Sequence, residues 1–327
     1  MAGSAVPVRR RGQWDRMTSA LPLVGHSDAE TAFLSADASG KLHHAWLIEG
    51  PAGIGKSRLA QRLAAFMLGA RGPADAPLEP TSDDPVMQTF LAGAHPDRRV
   101  VQIELNDKGK PRQDITVDQI RDLNHFFTLR PAMGGWRVGI IDALDELNRN
   151  AANALLKTLE EPPSSSILFL INHGSRPILP TIRSRCRTLR LRALSDDETL
   201  RVLNLVGAPK EAAGLSHGRP GLGIRLSSAS GLQAANAARA LLRSMPKPND
   251  ALLTAAVQAA NTDAIALEAF SEEVLGWLAD KAEGNPAAAD AWLKTSRLLG
   301  EAGALNMEAS QTTAKLIAGL YSAVGRG

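Results

Sequence analysis

The chain has 327 residues, 44% of them apolar and only 4% aromatic, with a formal net charge of +3. That length allows roughly two domains with cores of Ala, Leu, Val and Ile, a composition that favours helices because alanine loses no side-chain entropy there. The single cysteine, Cys186, excludes an intramolecular disulfide and a cysteine-based zinc cluster, and no stretch reaches the roughly 18 apolar residues of a membrane span.

The mildly basic balance permits contact with nucleic acid and equally suits an ordinary surface. Arg9, Arg10 and Arg11 have no apolar run behind them, so they do not read as a secretory signal. The expected setting is a reducing cytoplasm, with no membrane contact. Residues 1–20 read as a flexible tail. Ala45 to Glu49 is a short apolar run ending at glycine, a buried strand. Lys56 to Leu68 reads as a helix with Leu59, Leu63, Phe66 and Met67 on one side. Residues 70–96, rich in Pro, Gly and Asp, read as a long loop or insertion.

A second strand is expected over Arg99 to Leu105, then a turn over 106–114. Thr116 starts a helix with Gln119 at capping-box spacing. Arg137 to Ile141 is a strand, Asn150 to Glu160 a helix stopped by Pro162-Pro163, Ile167 to Ile171 a strand, and Thr188 to Leu191 a last short one. Strands alternating with helices imply a mainly parallel sheet covered on both faces. From Ser195 and Glu198, another capping-box pair, the chain turns helical. A turn-rich break is expected at Gly214 to Gly223, and 230–325 reads as a separate helical domain.

Gly50-Pro51-Ala52-Gly53-Ile54-Gly55-Lys56-Ser57 fits G-x-x-x-x-G-K-S. Gly50, Gly53 and Gly55 permit backbone angles and close approach that a side chain would block. Successive N–H groups then cradle phosphate oxygens, aided by the positive end of the helix that follows. Lys56 reaches the terminal phosphates, and the Ser57 hydroxyl suits Mg²⁺. A strand before the loop and an amphipathic helix after it supply the right context.

A nucleotide site of this kind also needs an acid at a neighbouring strand end to hold the Mg²⁺ shell. Asp142, directly after Gly139-Ile140-Ile141, fits, so Ser57 and Asp142 are the candidate Mg²⁺-side residues for ATP or ADP. The next position, where hydrolysing members of this class carry a water-orienting Glu, is Ala143. Asp145-Glu146 offers a second acidic pair, but using it would leave charged Asp142 inside a buried strand. Glu146 also reads as a solvated acid on the following turn. Asn172, after the strand 167–171, either senses the γ-phosphate or is an ordinary strand-end polar residue. Arg183, Arg185, Arg187, Arg190 and Arg192 make the most basic segment. Arg185, flanked by small residues, suits a guanidinium offered to a neighbour's phosphates; for Arg187, Arg190 and Arg192 a solvated edge suffices.

The run Asn153 to Pro163 (N-A-L-L-K-T-L-E-E-P-P) followed by Ser184-Arg185-Cys186 resembles the bacterial clamp-loader AAA+ ATPases of DNA polymerase III. His95-Pro96-Asp97, Asp142-Ala143 and Ala151-Ala152-Asn153 add to the likeness, which runs from about Leu42 to Leu194. It implies an α/β P-loop AAA+ domain with a parallel sheet, then a small helical lid and a C-terminal all-α collar. The expected limits are 21–193, 194–229 and 230–327. It implies a place in a hetero-pentameric ring with gamma/tau and delta subunits, which sets a sliding clamp on primer-template DNA. Within the polymerase holoenzyme this chain would be an accessory subunit. Arg185 matches the family's arginine finger, acting in trans.

Two departures bear on activity. Residues 70–94 lack the four cysteines of the family's zinc module, so no zinc is expected. Ala143, and Gly221 where hydrolysing relatives carry a sensing arginine, imply weak or absent ATPase, with Arg219 close by. The alternatives are a self-sufficient gamma/tau-type ATPase using Glu146, and a nucleic-acid-binding module, which the scarcity of aromatic residues disfavours.

Overall fold

The computed structural model describes residues 23–305 and 307–324, so the tail expected over 1–20 lies outside the described residues. The chain divides into two compact units, residues 1–206 and 207–327.

The first unit is built on β1 (Ala45–Glu49), β2 (Arg98–Gln102), β3 (Arg137–Asp142), β4 (Ser166–Ile171) and β5 (Arg187–Arg190). All pairings are parallel, in the order β2-β3-β4-β1-β5. The helices are α1 (Ser27–Ala38), α2 (Lys56–Met67), α3 (Pro85–Leu91), α4 (Val117–Thr128), α5 (Arg149–Glu160), the single turn α6 (Pro180–Arg183) and α7 (Asp196–Leu205). Alternate strand residues feed two apolar layers, as a period of two requires. Trp46, Ile48 and Phe169 join Phe33, Leu59 and Leu63 on one face. Leu47, Leu168 and Leu170 join Ile120, Phe127 and Leu155 on the other. Gly139 permits that second layer to close, because a Cβ there would come within 2.7 Å of Phe127 and 2.8 Å of Leu168.

Both capping boxes form, Thr116 with Gln119 and Ser195 with Glu198. Several elements differ from expectation. Helix α1 had no reading; its Phe33 is fully buried, with ring centroids 5.0 Å from Trp46 and 5.8 Å from Phe169. The loop expected over 70–96 contains α3, started by Pro85 at its first turn and by Asp84, which accepts from the Met87 N–H at 2.8 Å. Strand β2 stops at Gln102, short of Leu105, because Asn106 folds the chain by accepting from the N–H groups of Lys108 and Lys110.

The second unit is helical: α8 (Ala212–Ser216), α9 (Pro220–Leu226), α10 (Ala229–Ser244), α11 (Asp250–Ala260), α12 (Ala264–Ala282), α13 (Pro286–Leu305) and α14 (Ala309–Val324). The break expected at 214–223 is instead two short helices. His217 and Gly218, both at positive φ, turn the chain between them. Alanines 234, 235, 238, 256, 266 and 269 are buried, and Phe270, Leu241 and Leu316 fill the space between helices. Glu273 is buried and satisfied by Arg239, whose Nε and Nη2 donate at 2.9 and 2.5 Å.

Candidate functional site

The site lies at the carboxyl edge of the sheet, where β1, β3 and β4 end side by side. Open α/β sheets carry their ligands at this edge. Gly50, Gly53 and Gly55 adopt φ of 144°, 84° and 103°. At Gly50 a Cβ would also meet the Leu191 carbonyl oxygen at 2.4 Å, so both conformation and space demand glycine. Gly55 caps α2 and leaves the first N–H groups of a three-turn helix without side-chain caps.

Lys56 is the first residue of α2 and only 2% exposed. Its Nζ donates to the carbonyls of Gly50 and Pro51, both at 2.6 Å. Burial lowers its pKa to about 8, against the pull of the Asp145 and Asp142 carboxylates. The Ser57 hydroxyl donates to Asp142 Oδ2 at 2.6 Å, and His173 Nε2 donates to Oδ1 at 2.9 Å. A cavity of about 590 Å³ opens beside this cluster, lined by Ser57, Gln61, Phe90, Arg98, Gln102 and Asp142.

Asp145 is buried on the 3-10 turn Leu144–Glu146 and faces inward. It accepts from the His173 N–H at 3.0 Å, the Ser175 N–H at 2.7 Å and the Ser175 hydroxyl at 2.6 Å. Burial would raise its pKa, but these bonds outweigh it and hold the carboxyl below its ordinary range. Asp145 therefore anchors the 173–175 segment. Asn172 donates to Glu49 Oε1 at 3.0 Å. No motif or spacing marks His26, which is buried and donates from Nε2 to the Ile54 carbonyl at 2.7 Å, bracing the glycine loop from the start of α1. Burial lowers its pKa, with the Ile54 bond opposing.

The glycine cradle, the buried ammonium and the helix start fit a nucleoside polyphosphate, and the Ser57 and Asp142 oxygens fit a hard divalent cation.

Arg185 stands apart from this cluster. It is 36% exposed; one Nη donates to the Thr181 carbonyl at 2.9 Å and the other lies 2.8 Å from Glu160 Oε1. Arg187, Arg190 and Arg192 are exposed, as a solvated edge requires. Arg187 lies 5.0 Å over the Trp46 ring, and Arg192 forks onto Glu198 with both bonds at 3.0 Å. Cys186 is half-buried, and burial pushes its thiol up to about 12, away from reactivity. Arg219 pairs with Glu272 of its own unit at 2.6 Å.

His95-Pro96-Asp97 proves structural. Asp97 is fully buried and accepts from the N–H groups of Ala132 and Met133 at 2.7 and 2.8 Å, with Arg137 at 3.5 Å. In the Asn153 to Pro163 run, Leu155, Thr158 and Leu159 face the core while Asn153, Lys157 and Glu160 face outward.

A parallel sheet in this strand order, with a phosphate loop after β1 and an acid at the end of β3, defines a P-loop protein of the AAA+ class. The chain belongs to the DNA polymerase III delta subunit family, whose model matches residues 25–195. It is 44% identical over 143 residues to DNA polymerase III subunit delta' of Pseudomonas aeruginosa, covering 44% of this chain and 41% of that protein. To subunit delta' of Haemophilus influenzae it is 37% identical over 150 residues, 46% of this chain and 42% of that one. To subunit tau of Escherichia coli it is 31% identical over 186 residues, 57% of this chain and 27% of that one. The chain thus spans about two fifths of the length of the delta' relatives it matches. A gamma subunit-related protein of Thermotoga maritima superposes with a TM-score of 0.42 at 16% identity, covering 89% of this chain and 97% of that one. The family match and the delta' relatives bear out the resemblance read from the sequence. Among the described residues no helix is long and apolar enough to cross a membrane.

Proposed function

We propose that this chain is a delta-prime-type subunit of a DNA polymerase III clamp loader. It binds ATP or ADP with Mg²⁺ at Gly50 to Ser57, hydrolyses it weakly or not at all, and supplies Arg185 in trans to ATP held by a gamma/tau neighbour. Residues 194–229 serve as a helical lid and 230–327 as a collar in a hetero-pentameric cytoplasmic ring with gamma/tau and delta. Through that ring the chain helps set the sliding clamp on primer-template DNA.

The observation that carries this reading is a complete cradle without the expected hydrolytic acid. Lys56, Ser57 and Asp142 converge, while the residue after Asp142 is the buried Ala143. Bound nucleotide would place phosphate charge and a cation there. Lys56 and the loop N–H groups hold that charge, and Ser57 and Asp142 hold the cation. Nothing in the position of Ala143 can orient water. Arg185 has the exposure that an intersubunit role needs, and its Glu160 partner holds the guanidinium at the surface. The Arg185→Ala variant tests this in a loader reconstituted with gamma/tau and delta. Assembly should persist and the loader's ATPase should fall, whereas an unchanged rate removes the finger role.

The second reading, a self-sufficient ATPase of gamma/tau type, is favoured by the intact Lys56–Ser57–Asp142 constellation. It requires Glu146→Gln to abolish Lys56-dependent turnover by the isolated chain.

A further inference from the structure

Glu49 is the last residue of β1 and directly precedes Gly50. Its carboxylate is 14% exposed and accepts a forked bond from Arg183, Nη1 to Oε2 at 2.7 Å and Nη2 to Oε1 at 2.8 Å. Oε1 also accepts from Asn172 Nδ2 at 3.0 Å, and Asn172 Oδ1 accepts from the Gly174 N–H at 2.9 Å. Burial pushes the Glu49 carboxyl up, but the Arg183 and Asn172 bonds outweigh it and hold the group ionised. One partly buried carboxylate thus joins the root of the glycine loop, the end of β4 and the helix α6.

Helix α6 is a single turn, too short to hold itself by propagation. Ile182 buries its apolar side, and Arg183 fixes the other to Glu49. Arg185 follows two residues later, and its N–H bonds back to the Ile182 carbonyl at 3.1 Å, so the orientation of α6 sets its own. An ion pair whose Arg183 is 46% exposed contributes little to stability, but a two-bond fork fixes direction as well as distance.

We propose that Glu49 and Arg183 are positioning residues for Arg185: the Glu49–Arg183 fork, shared with Asn172, ties the segment bearing Arg185 to the root of this chain's own glycine loop. The inference rests on the reading of Arg185 as acting in trans. Without the fork α6 swivels about Ile182, and the guanidinium reaches a neighbour's phosphates displaced rather than removed. The expected loss is therefore in turnover, not in ATP affinity.

The test is steady-state ATPase of the loader reconstituted from the full chain with gamma/tau and delta. Arg183→Ala and Glu49→Gln should each lower kcat by on the order of 10-fold, with KM for ATP changed by no more than about twofold. Arg183→Lys, which keeps the charge and loses the fork, should fall between them and the parent chain. In an Arg185→Ala background, Arg183→Ala should cause no further loss, because it acts only through Arg185. Parental kcat in Arg183→Ala, or the same fold loss with and without Arg185, overturns the proposal. If Arg183→Ala does not assemble, Arg183→Lys carries the same comparison. Silence of Arg183→Ala beside a slow Arg185→Ala removes the tether alone; silence of Arg185→Ala removes the finger reading, and the tether with it.

Discussion

Replacing Lys56 with Met should stabilise the folded chain at neutral pH while destroying its phosphate site. The side chain is 2% exposed and its pKa falls from 10.5 to about 8 because burial disfavours the ammonium. A fall of that size is worth about 3 kcal/mol of destabilisation at pH 7. Methionine keeps the apolar stem and removes the charge, leaving the Gly50 and Pro51 carbonyls without a donor at about 1 kcal/mol each. The net gain at pH 7 is therefore about 1 kcal/mol. The sign fixes the pH dependence. The folded chain binds fewer protons at Lys56 than the unfolded chain between the two pKa values, so the parent gains stability as pH rises from about 8 towards 10.5. The difference between variant and parent should move against the variant by about 2.5 kcal/mol from pH 7 to pH 10. Urea unfolding of both chains at the two pH values measures it, since the other titrating groups cancel in the difference. A difference that stays constant with pH would refute the reasoning, because Lys56 would then be as free to ionise as in water.

Asp97→Ala should cost about 3–5 kcal/mol in urea unfolding, because it strands the Ala132 and Met133 N–H groups and leaves the buried Arg137 without its carboxylate. Gly50→Ala puts a Cβ 2.4 Å from the Leu191 carbonyl oxygen at a φ of 144°, so its thermal midpoint should fall by several degrees and nucleotide binding should be lost; an unchanged midpoint would mean that the loop shifts without cost.

Much of the sheet was legible because β1, β3 and β4 are buried on both faces. Such strands read as unbroken apolar runs. The glycine loop was legible because its spacing is itself the mechanism. Helix α1 was not, since a single residue, Phe33, carries much of its packing against Trp46 and Phe169. Helix α3 hid inside a Pro- and Asp-rich stretch whose Asp84-Pro85 is a helix start as well as a turn signal. Asp142 was identified from its strand-end position. Its partners Ser57 and His173, 85 residues before and 31 after, were beyond any local pattern. Asp145 looked like half of an acidic pair, and only the fold reveals that it faces the 173–175 backbone. The Glu49–Arg183 fork spans 134 residues and came from neither motif nor spacing.

The central claim is a competent phosphate cradle in a subunit that does not turn its own nucleotide over. Bound nucleotide and steady-state ATPase, measured together on the isolated chain and on Lys56→Ala, test it most directly. The account predicts Lys56-dependent binding, with turnover no faster than in the variant. Turnover that depends on Lys56 would contradict it, and would favour Glu146 as the acid that orients water.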